Sequence, residues 1–419
     1  MARKKSKAKI WFLIHSWLAL PIWGFIFFVC LTGSIATVSQ EIEWLASPMV
    51  RANPPAGNPP MLTYDQVLER VEKAHPGSVV NSISRPVKSQ FALTVNTTYT
   101  DGKSGKLYVN PYTGDIQGQI SGFDFRQFVR ALHGWLLVPF TNGFAWGWYA
   151  VSFLGIPMLI SLVTGLVVYK RFWRGYLKPR LRIGQGARIF WGDFHRLSGI
   201  WSVPFIAIIS VTAIWFMVEA ILFDNSISIS TAPPPAMVQR ADVPTRQDGS
   251  AKSLLLSPDQ AVEKARGRFP DMQAESIFLP ANAYSHYTVR GRSSYPLILE
   301  RASVNPYTGN VDAARTVSDY SALELVTESM RPLHTGDFAG LWLKLVYFFF
   351  GILLTMMVLS GMLIWTKRTA RETADMIREH REVRQAQRTN KGVVGPGRST
   401  APSRATVSAR LRESEEGQS

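Results

Sequence analysis

Four stretches of the chain carry almost no charge: 11–38, 143–169, 199–223 and 341–365, the last interrupted by Lys344 near its start. A helix rising ~1.5 Å per residue needs about 20 apolar residues to cross ~30 Å of hydrocarbon, and each stretch is long enough. Helices buried in a soluble core keep one polar side, and these runs have none. The expectation is therefore four transmembrane helices, with the remaining residues arranged around them.

Charge orients them. Lysine and arginine number 46 against 30 acidic residues, a formal net charge of +16. Arg3, Lys4, Lys5, Lys7 and Lys9 precede the first run; Lys170, Arg171, Arg174, Lys178, Arg180, Arg182, Arg188 and Arg196 crowd the connection between the second and third; basic residues dominate from Lys367 onward. The positive-inside rule puts these regions on the cytoplasmic side, both termini included, and leaves the two long mixed-charge loops outside. The basic excess follows the membrane boundaries and no nucleic-acid-binding motif, so no nucleic-acid partner is expected. The first run is long and lacks a small-residue cleavage site, so it stays in the protein. The single cysteine, Cys30, excludes an internal disulfide, a thiolate-bound cluster and any covalently attached haem.

The two outer loops share one grammar. In the first, a Pro-rich linker (Pro54 to Pro60) leads to a capped amphipathic helix from Thr63 and strand-like pieces at 78–84, 91–97 and 106–110; in the second, Pro233-Pro234-Pro235 leads to a helix with Pro258 at its first position and strands at 276–279, 286–290 and 296–302. Both series end in Val-Asn-Pro-Tyr-Thr-Gly, at 109–114 and at 304–309. The membrane runs match as well. His15 and Thr32 stand at the same spacing as His195 and Thr212; Arg130-Ala131-Leu132-His133 parallels Arg331-Pro332-Leu333-His334; and Thr164-Gly165 and Ser360-Gly361 close the second and fourth runs. The chain reads as a tandem duplication. Its expected order is a basic N-terminus and first span (1–39), an outer α+β domain (40–130), an outer histidine segment and second span (131–170), a basic loop (171–194), a third span (195–223), a second outer domain (224–331), a second histidine segment and fourth span (332–366), and a basic, largely disordered tail (367–419).

A histidine heads each apolar run, and the four form two matched pairs, whereas His75, His286 and His380 have no counterpart in the other half. Topology pairs them by depth, His15 with His195 and His133 with His334. Imidazole is the commonest ligand of metal ions and holds haem iron. Two imidazoles per side bind zinc or copper only with further donors, and Asp193 and Asp337 are the nearest carboxylates, so bis-histidine ligation of two b-type haems is the expectation and zinc or copper the rival chemistry. Arg130, Arg196 and Arg331 lie beside these histidines and are candidate partners for haem propionates, with topogenic charge as the plainer reading. Gly24, Gly33, Gly165, Gly199 and Gly361 either admit a flat macrocycle or let helices pack closely.

The helix-and-sheet unit ending in the Asn-Pro-x-Thr-Gly turn, set between spans headed by histidine, resembles the PepSY-associated transmembrane family over roughly residues 10 to 368. His15-Ser16-Trp17-Leu18-Ala19 departs from the family's usual opening but keeps its His and Trp. The resemblance implies a four-helix transmembrane bundle with two periplasmic PepSY-like α+β domains. Within that group the chain is most similar to inner-membrane siderophore reductases, which implies two haem b groups and electron transfer to a periplasmic ferric siderophore with release of ferrous iron. No Gly-rich dinucleotide fingerprint is present, so the electron donor is another cytoplasmic protein or a quinol. Two other readings stand beside this one: a membrane-tethered PepSY module that binds or inhibits a periplasmic peptidase without redox activity, and a siderophore permease, which so few intramembrane charges disfavour.

Overall fold

A computed structural model of the chain describes residues 7–392 apart from 58, 87, 170–171, 228, 230–236, 245–254 and 294. The basic residues Arg3 to Lys5, Lys170, Arg171, the Pro233–Pro235 linker and the tail beyond 392 lie outside the described residues. In chain order the elements are α1 (Lys7–Ala19), α2 (Trp23–Thr37), α3 (Ser39–Ala46), α4 (Tyr64–Ala74), β1 (Val79–Ser84), β2 (Leu93–Thr98), β3 (Ser104–Val109), β4 (Ile116–Ile120), α5 (Phe125–Trp135), α6 (Trp146–Phe153), α7 (Gly155–Val168), α8 (Trp173–Leu177) and α9 (Ala187–Trp201). There follow α10 (Val203–Asp224), α11 (Pro258–Arg268), β5 (Gln273–Phe278), β6 (Tyr287–Arg292), β7 (Glu300–Val304), β8 (Val311–Arg315), α12 (Ala322–Thr335) and α13 (Gly340–Gly392). The chain divides into two compact units, one of residues 1–27, 157–206 and 353–419, the other of 28–156 and 207–352.

Among the described residues three helical stretches are long and apolar enough to cross a membrane, Trp146–Val168, Val203–Asp224 and Gly340–Thr366; α2 and α3, bent by 59°, make a fourth if the pair is one span. The breaks have causes. Pro21 sits in the short 3-10 turn Leu20–Ile22 between α1 and α2, Pro204 just after the α9–α10 junction, and Pro157 after the α6–α7 junction; each removes an N–H and crowds the carbonyl four residues back. The run expected as one span from Trp11 to Val38 is thus two helices and a turn, and the span expected from 195 begins as a separate helix, α9. Lys344, the charge inside the last run, is neutralised by Glu41 of α3, both carboxylate oxygens lying 3.0 Å from its Nζ. The tail expected to be largely disordered from 367 is helical through Gly392 as the end of α13.

The two α/β repeats, expected as separate domains, form one body in the second unit. All eight strands build a single antiparallel sheet in the order β4-β3-β2-β1-β5-β6-β7-β8, the halves meeting where β1 pairs with β5, Ile83 opposite Ile277. A first strand left as an edge would present unpaired N–H and C=O groups, and each half satisfies the other's. Helices α4 and α11 cover one face, and Val67, Val71, Ile83, Leu93, Val95, Ala261, Ile277, Val289 and Val304 join in one core drawn from both halves. The helix starts interlock. Asp259 accepts from the backbone N–H groups of Tyr64 (2.9 Å) and Asp65 (3.0 Å), while Asp65 accepts from the Asp259 N–H (3.0 Å) and the Ser257 hydroxyl (2.6 Å). Each helix therefore has its orphan first-turn donors and its positive dipole end answered by the opposite half. The repeated Asn-Pro-Tyr-Thr-Gly is also explained: Asn110 and Asn305 accept through Oδ1 from the two N–H groups beyond the proline, and Gly114 (φ 79°) and Gly309 (φ 76°) take the left-handed turn position.

Candidate functional site

In the first unit His15 of α1 and His195 of α9 approach with ring centroids 6.4 Å apart. In the second, His133 of α5 and His334 of α12 approach to 6.2 Å. These are the two pairs expected from the duplication, and each takes one histidine from each half.

The helices that carry the second pair are fixed to the sheet. Asp124 caps α5 by accepting from Gln127 N–H (3.0 Å) and is itself ion-paired with Lys106 of β3. Burial raises the Asp124 pKa, but the Lys106 ammonium and the Gln127 N–H more than offset that and hold it below the ordinary carboxylate range. Ser321 and Glu324 form a capping box at the start of α12, and Glu324 is held by Arg315 of β8 at 3.1 Å. Past His133 the chain turns through Leu136 (φ 55°) and Leu137 (φ 61°), a left-handed conformation costly for side chains with a Cβ; past His334 the same task falls to Gly336 (φ 67°).

All four rings are anchored through Nδ1. His15 Nδ1 lies 3.0 Å from Thr164 Oγ1. His195 Nδ1 lies 3.0 Å from Ser360 Oγ and 3.1 Å from the Met357 carbonyl. His133 Nδ1 lies 3.1 Å from the Val29 carbonyl and 3.5 Å from Thr32 Oγ1. His334 Nδ1 lies 2.8 Å from Thr212 Oγ1. Every one of these hydroxyls gives its single proton to a carbonyl of its own helix: Thr164 to Ile160 (2.8 Å), Ser360 to Met357 (2.7 Å), Thr32 to Phe28 (2.9 Å) and Thr212 to Ile208 (2.7 Å). A backbone carbonyl never donates, so the Val29 and Met357 carbonyls put the proton on Nδ1 of His133 and His195; a hydroxyl that gives its proton to its own helix carbonyl accepts from the ring in the same way at His15 and His334. The lone pair is then on Nε2. Among the described residues no Nε2 of the four makes a hydrogen bond.

The residue after each hydroxyl is small because the ring rests there. A Cβ built on Gly33 would lie 2.6 Å from His133 Cε1, on Gly361 3.1 Å from His195 Cε1, and on Gly165 3.3 Å from His15 Cε1. These three glycines admit an imidazole; the macrocycle and close-helix readings both missed that. Gly24 faces open space, and Gly199 faces Met357.

Other expected residues are placed differently. Arg196 is turned back onto Asp193 and the Gly192 carbonyl (3.1 Å), and is exposed. Asp193 is buried and gripped at both oxygens by Arg182, at 2.7 and 2.9 Å; that hydrogen bonding, helped by Arg196, holds its carboxyl well below the usual range. It is thus committed to arginines and not offered to a metal. Asp337 accepts from Thr335 Oγ1 at 2.8 Å and is exposed. Arg130 and Arg331 are exposed and make no hydrogen bond or ion pair among the described residues. His286 is tied to Asp312 at 2.7 Å and belongs to neither pair.

The donor sets fit haem. No group of three or more His, Cys, Asp or Glu suited to a metal ion occurs among the described residues. Two imidazoles facing one metal through bonds of ~2 Å each, with ~1 Å from ring nitrogen to ring centre, stand about 6 Å apart at their centroids. The pairs at 6.4 and 6.2 Å match that span. Each pair would thus offer two imidazole nitrogens to a haem iron.

The profile of the PepSY-associated TM region family matches residues 12–368. The chain belongs to that family. The match takes in the four histidines, the four hydroxyl–small steps and the whole sheet of this PepSY-associated protein. Comparison with curated proteins returns no match.

Proposed function

We propose that this PepSY-associated protein is an inner-membrane reductase with two haem b groups, one per histidine pair, which passes electrons across the bilayer to a periplasmic ferric siderophore. The observation that carries the reading is the set of four unpartnered Nε2 lone pairs, arranged in twos at the separation of axial ligands. Haem, when bound, supplies reversible one-electron chemistry. The protein's part is to hold the imidazoles in one tautomer, to exclude stronger-binding carboxylates and thiolates, and to keep the ligands in a low-dielectric setting. On this reading the four spans close as a bundle, His15 and His195 form the cytoplasmic-side site and His133 and His334 the periplasmic-side site, as basic 174–188 and the opposite loops require. Arg130 and Arg331, unpaired beside the second site, are available to anionic groups, whether propionates or a chelate. A cytoplasmic protein or a quinol supplies the electrons. Reducing the bound ferric ion weakens its hold on hard oxygen donors and lets the iron leave.

The reading is tested by the visible spectrum and pyridine haemochrome of the detergent-purified protein. Two haem equivalents are expected, with His195→Ala and His334→Ala each losing one. A colourless wild-type protein overturns it in favour of the peptidase-binding alternative.

A further inference from the structure

The four second contacts are not equivalent. His133 and His195 each have a backbone carbonyl within reach of Nδ1, from Val29 and Met357, in addition to a hydroxyl. Among the described residues His334 has the Thr212 hydroxyl alone, at 2.8 Å. Its ring is otherwise held by apolar contact, with Phe216 one turn further along α10 at 5.2 Å between centroids. Thr212 is buried, and its proton is already given to the Ile208 carbonyl at 2.7 Å, so it stands as a fixed acceptor aimed at His334.

From this asymmetry we infer that Thr212 is the positioning residue of the second pair: it alone sets the tautomer and the rotation of His334, and thereby the axial field of the haem that this pair holds. The inference rests on the di-haem reading and adds to it. Removing the hydroxyl leaves a buried Nδ1–H without an acceptor, which favours ring rotation or the other tautomer; either takes the lone pair off the iron axis. Where the ring stays, the lost acceptor makes imidazole a weaker donor and favours the reduced ion, so the midpoint potential of that haem rises. Removal of such an outer partner costs about 10–100-fold in metal-site affinity. At His133 and His195 the carbonyl survives the loss of the hydroxyl, and the effect is small.

The experiment compares Thr212→Val with Thr212→Ser, and with Ser360→Ala and Thr32→Val, in the detergent-purified full chain. Readouts are haem content, the low-spin ferric resonances at low temperature and a potentiometric titration followed in the visible spectrum. Expected are loss of one haem, or a shifted resonance and raised potential of one haem, in Thr212→Val only, with Thr212→Ser matching wild type. Should Thr212→Val fail to accumulate, Thr212→Cys, of similar size but a weak acceptor, is measured the same way. Two unaltered haems in Thr212→Val (or in its Cys substitute), or equal damage from Thr32→Val, overturn the inference while leaving the di-haem reading intact. Absence of haem from the wild type overturns that reading first.

Discussion

The glycines under the imidazoles give a graded test of the site, because one methyl group added at three equivalent places meets the ring at three different distances. On Gly33 the new carbon would lie 2.6 Å from His133 Cε1, 3.1 Å from Nδ1 and 3.2 Å from Nε2. Ordinary carbon contact is ~3.5–4.0 Å, so the ring must retreat by about 1 Å. That retreat stretches the 3.1 Å bond to the Val29 carbonyl past useful length. Overpacking of this kind costs ~1–3 kcal/mol, and the weakened hydrogen bond ~1 kcal/mol more. On Gly361 and Gly165 the nearest contacts are 3.1 and 3.3 Å, which a shift of a few tenths of an ångström relieves. The fourth place has already been tested by the protein, since Ala213 follows Thr212, and room for its methyl group comes from Gly155, where a Cβ would lie 3.0 Å from it. Gly33→Ala should therefore lower the thermal midpoint most and reduce the haem content from two equivalents toward one. Gly361→Ala should do less, and Gly165→Ala least. Pyridine haemochrome and a melting curve in detergent measure both quantities. If Gly165→Ala is hurt more than Gly33→Ala, or if Gly33→Ala matches wild type in both, the rings do not sit where this reasoning puts them.

Three further outcomes follow from the α/β unit. Asp259→Ala should destabilise it by ~1–2 kcal/mol through the lost cap of the opposite helix, and adding Asp65→Ala should cost less than a second full increment, because the two caps share one interface; a double-mutant cycle on thermal unfolding measures this. Asp124 titrates lower folded than unfolded, so its contribution is complete above the unfolded carboxyl value of ~3.9 and is lost as pH falls through the lower folded value; Asp124→Asn should remove that acid-side loss from the unfolding curve. Leu136→Gly should raise stability by up to about 1 kcal/mol, since glycine takes a φ of 55° without strain, and a fall in the melting midpoint would show that the Leu136 side chain is needed for packing.

How much of this was legible depends on whether the signal is local or lies between halves. The capped helix from Thr63 and the helix opening at Pro258 stand in the sequence because capping is decided within four residues, and the structure has both capping boxes. The histidine pairs were legible because the duplication repeats their surroundings. The fusion of the two sheets was not, since an edge strand such as β1 reads the same whether it meets solvent or β5; only three-dimensional pairing of Ile83 with Ile277 decides it. The proline breaks at Pro21 and Pro204 were visible as residues, but the apolar periodicity ran through them and hid the helix ends. Two of the hydroxyl–small steps, Thr164-Gly165 and Ser360-Gly361, stand in the sequence as matching span ends, and Thr32 and Thr212 only as residues at equal spacing from His15 and His195. Their meaning was hidden because the hydrogen bond they make is to a histidine more than a hundred residues away.

The contacts sort into two kinds, and the sorting says what the duplication is for. Each histidine is anchored by a hydroxyl of its own half: His15 by Thr164, His133 by Thr32, His195 by Ser360, His334 by Thr212. Each pair of facing rings, each reciprocal aspartate cap and the β1–β5 seam instead join opposite halves. One half alone can therefore anchor its imidazoles but cannot complete a single histidine pair, and its first strand remains an open edge. Contacts of the form residue i with j and j with i are what a two-fold axis imposes, and a half-length chain could satisfy them only by meeting a second copy. Joining the halves covalently makes that meeting intramolecular and independent of concentration. It also frees the two members of a pair to differ, and that freedom is visible where His334 relies on Thr212 alone while His133 keeps a carbonyl as well.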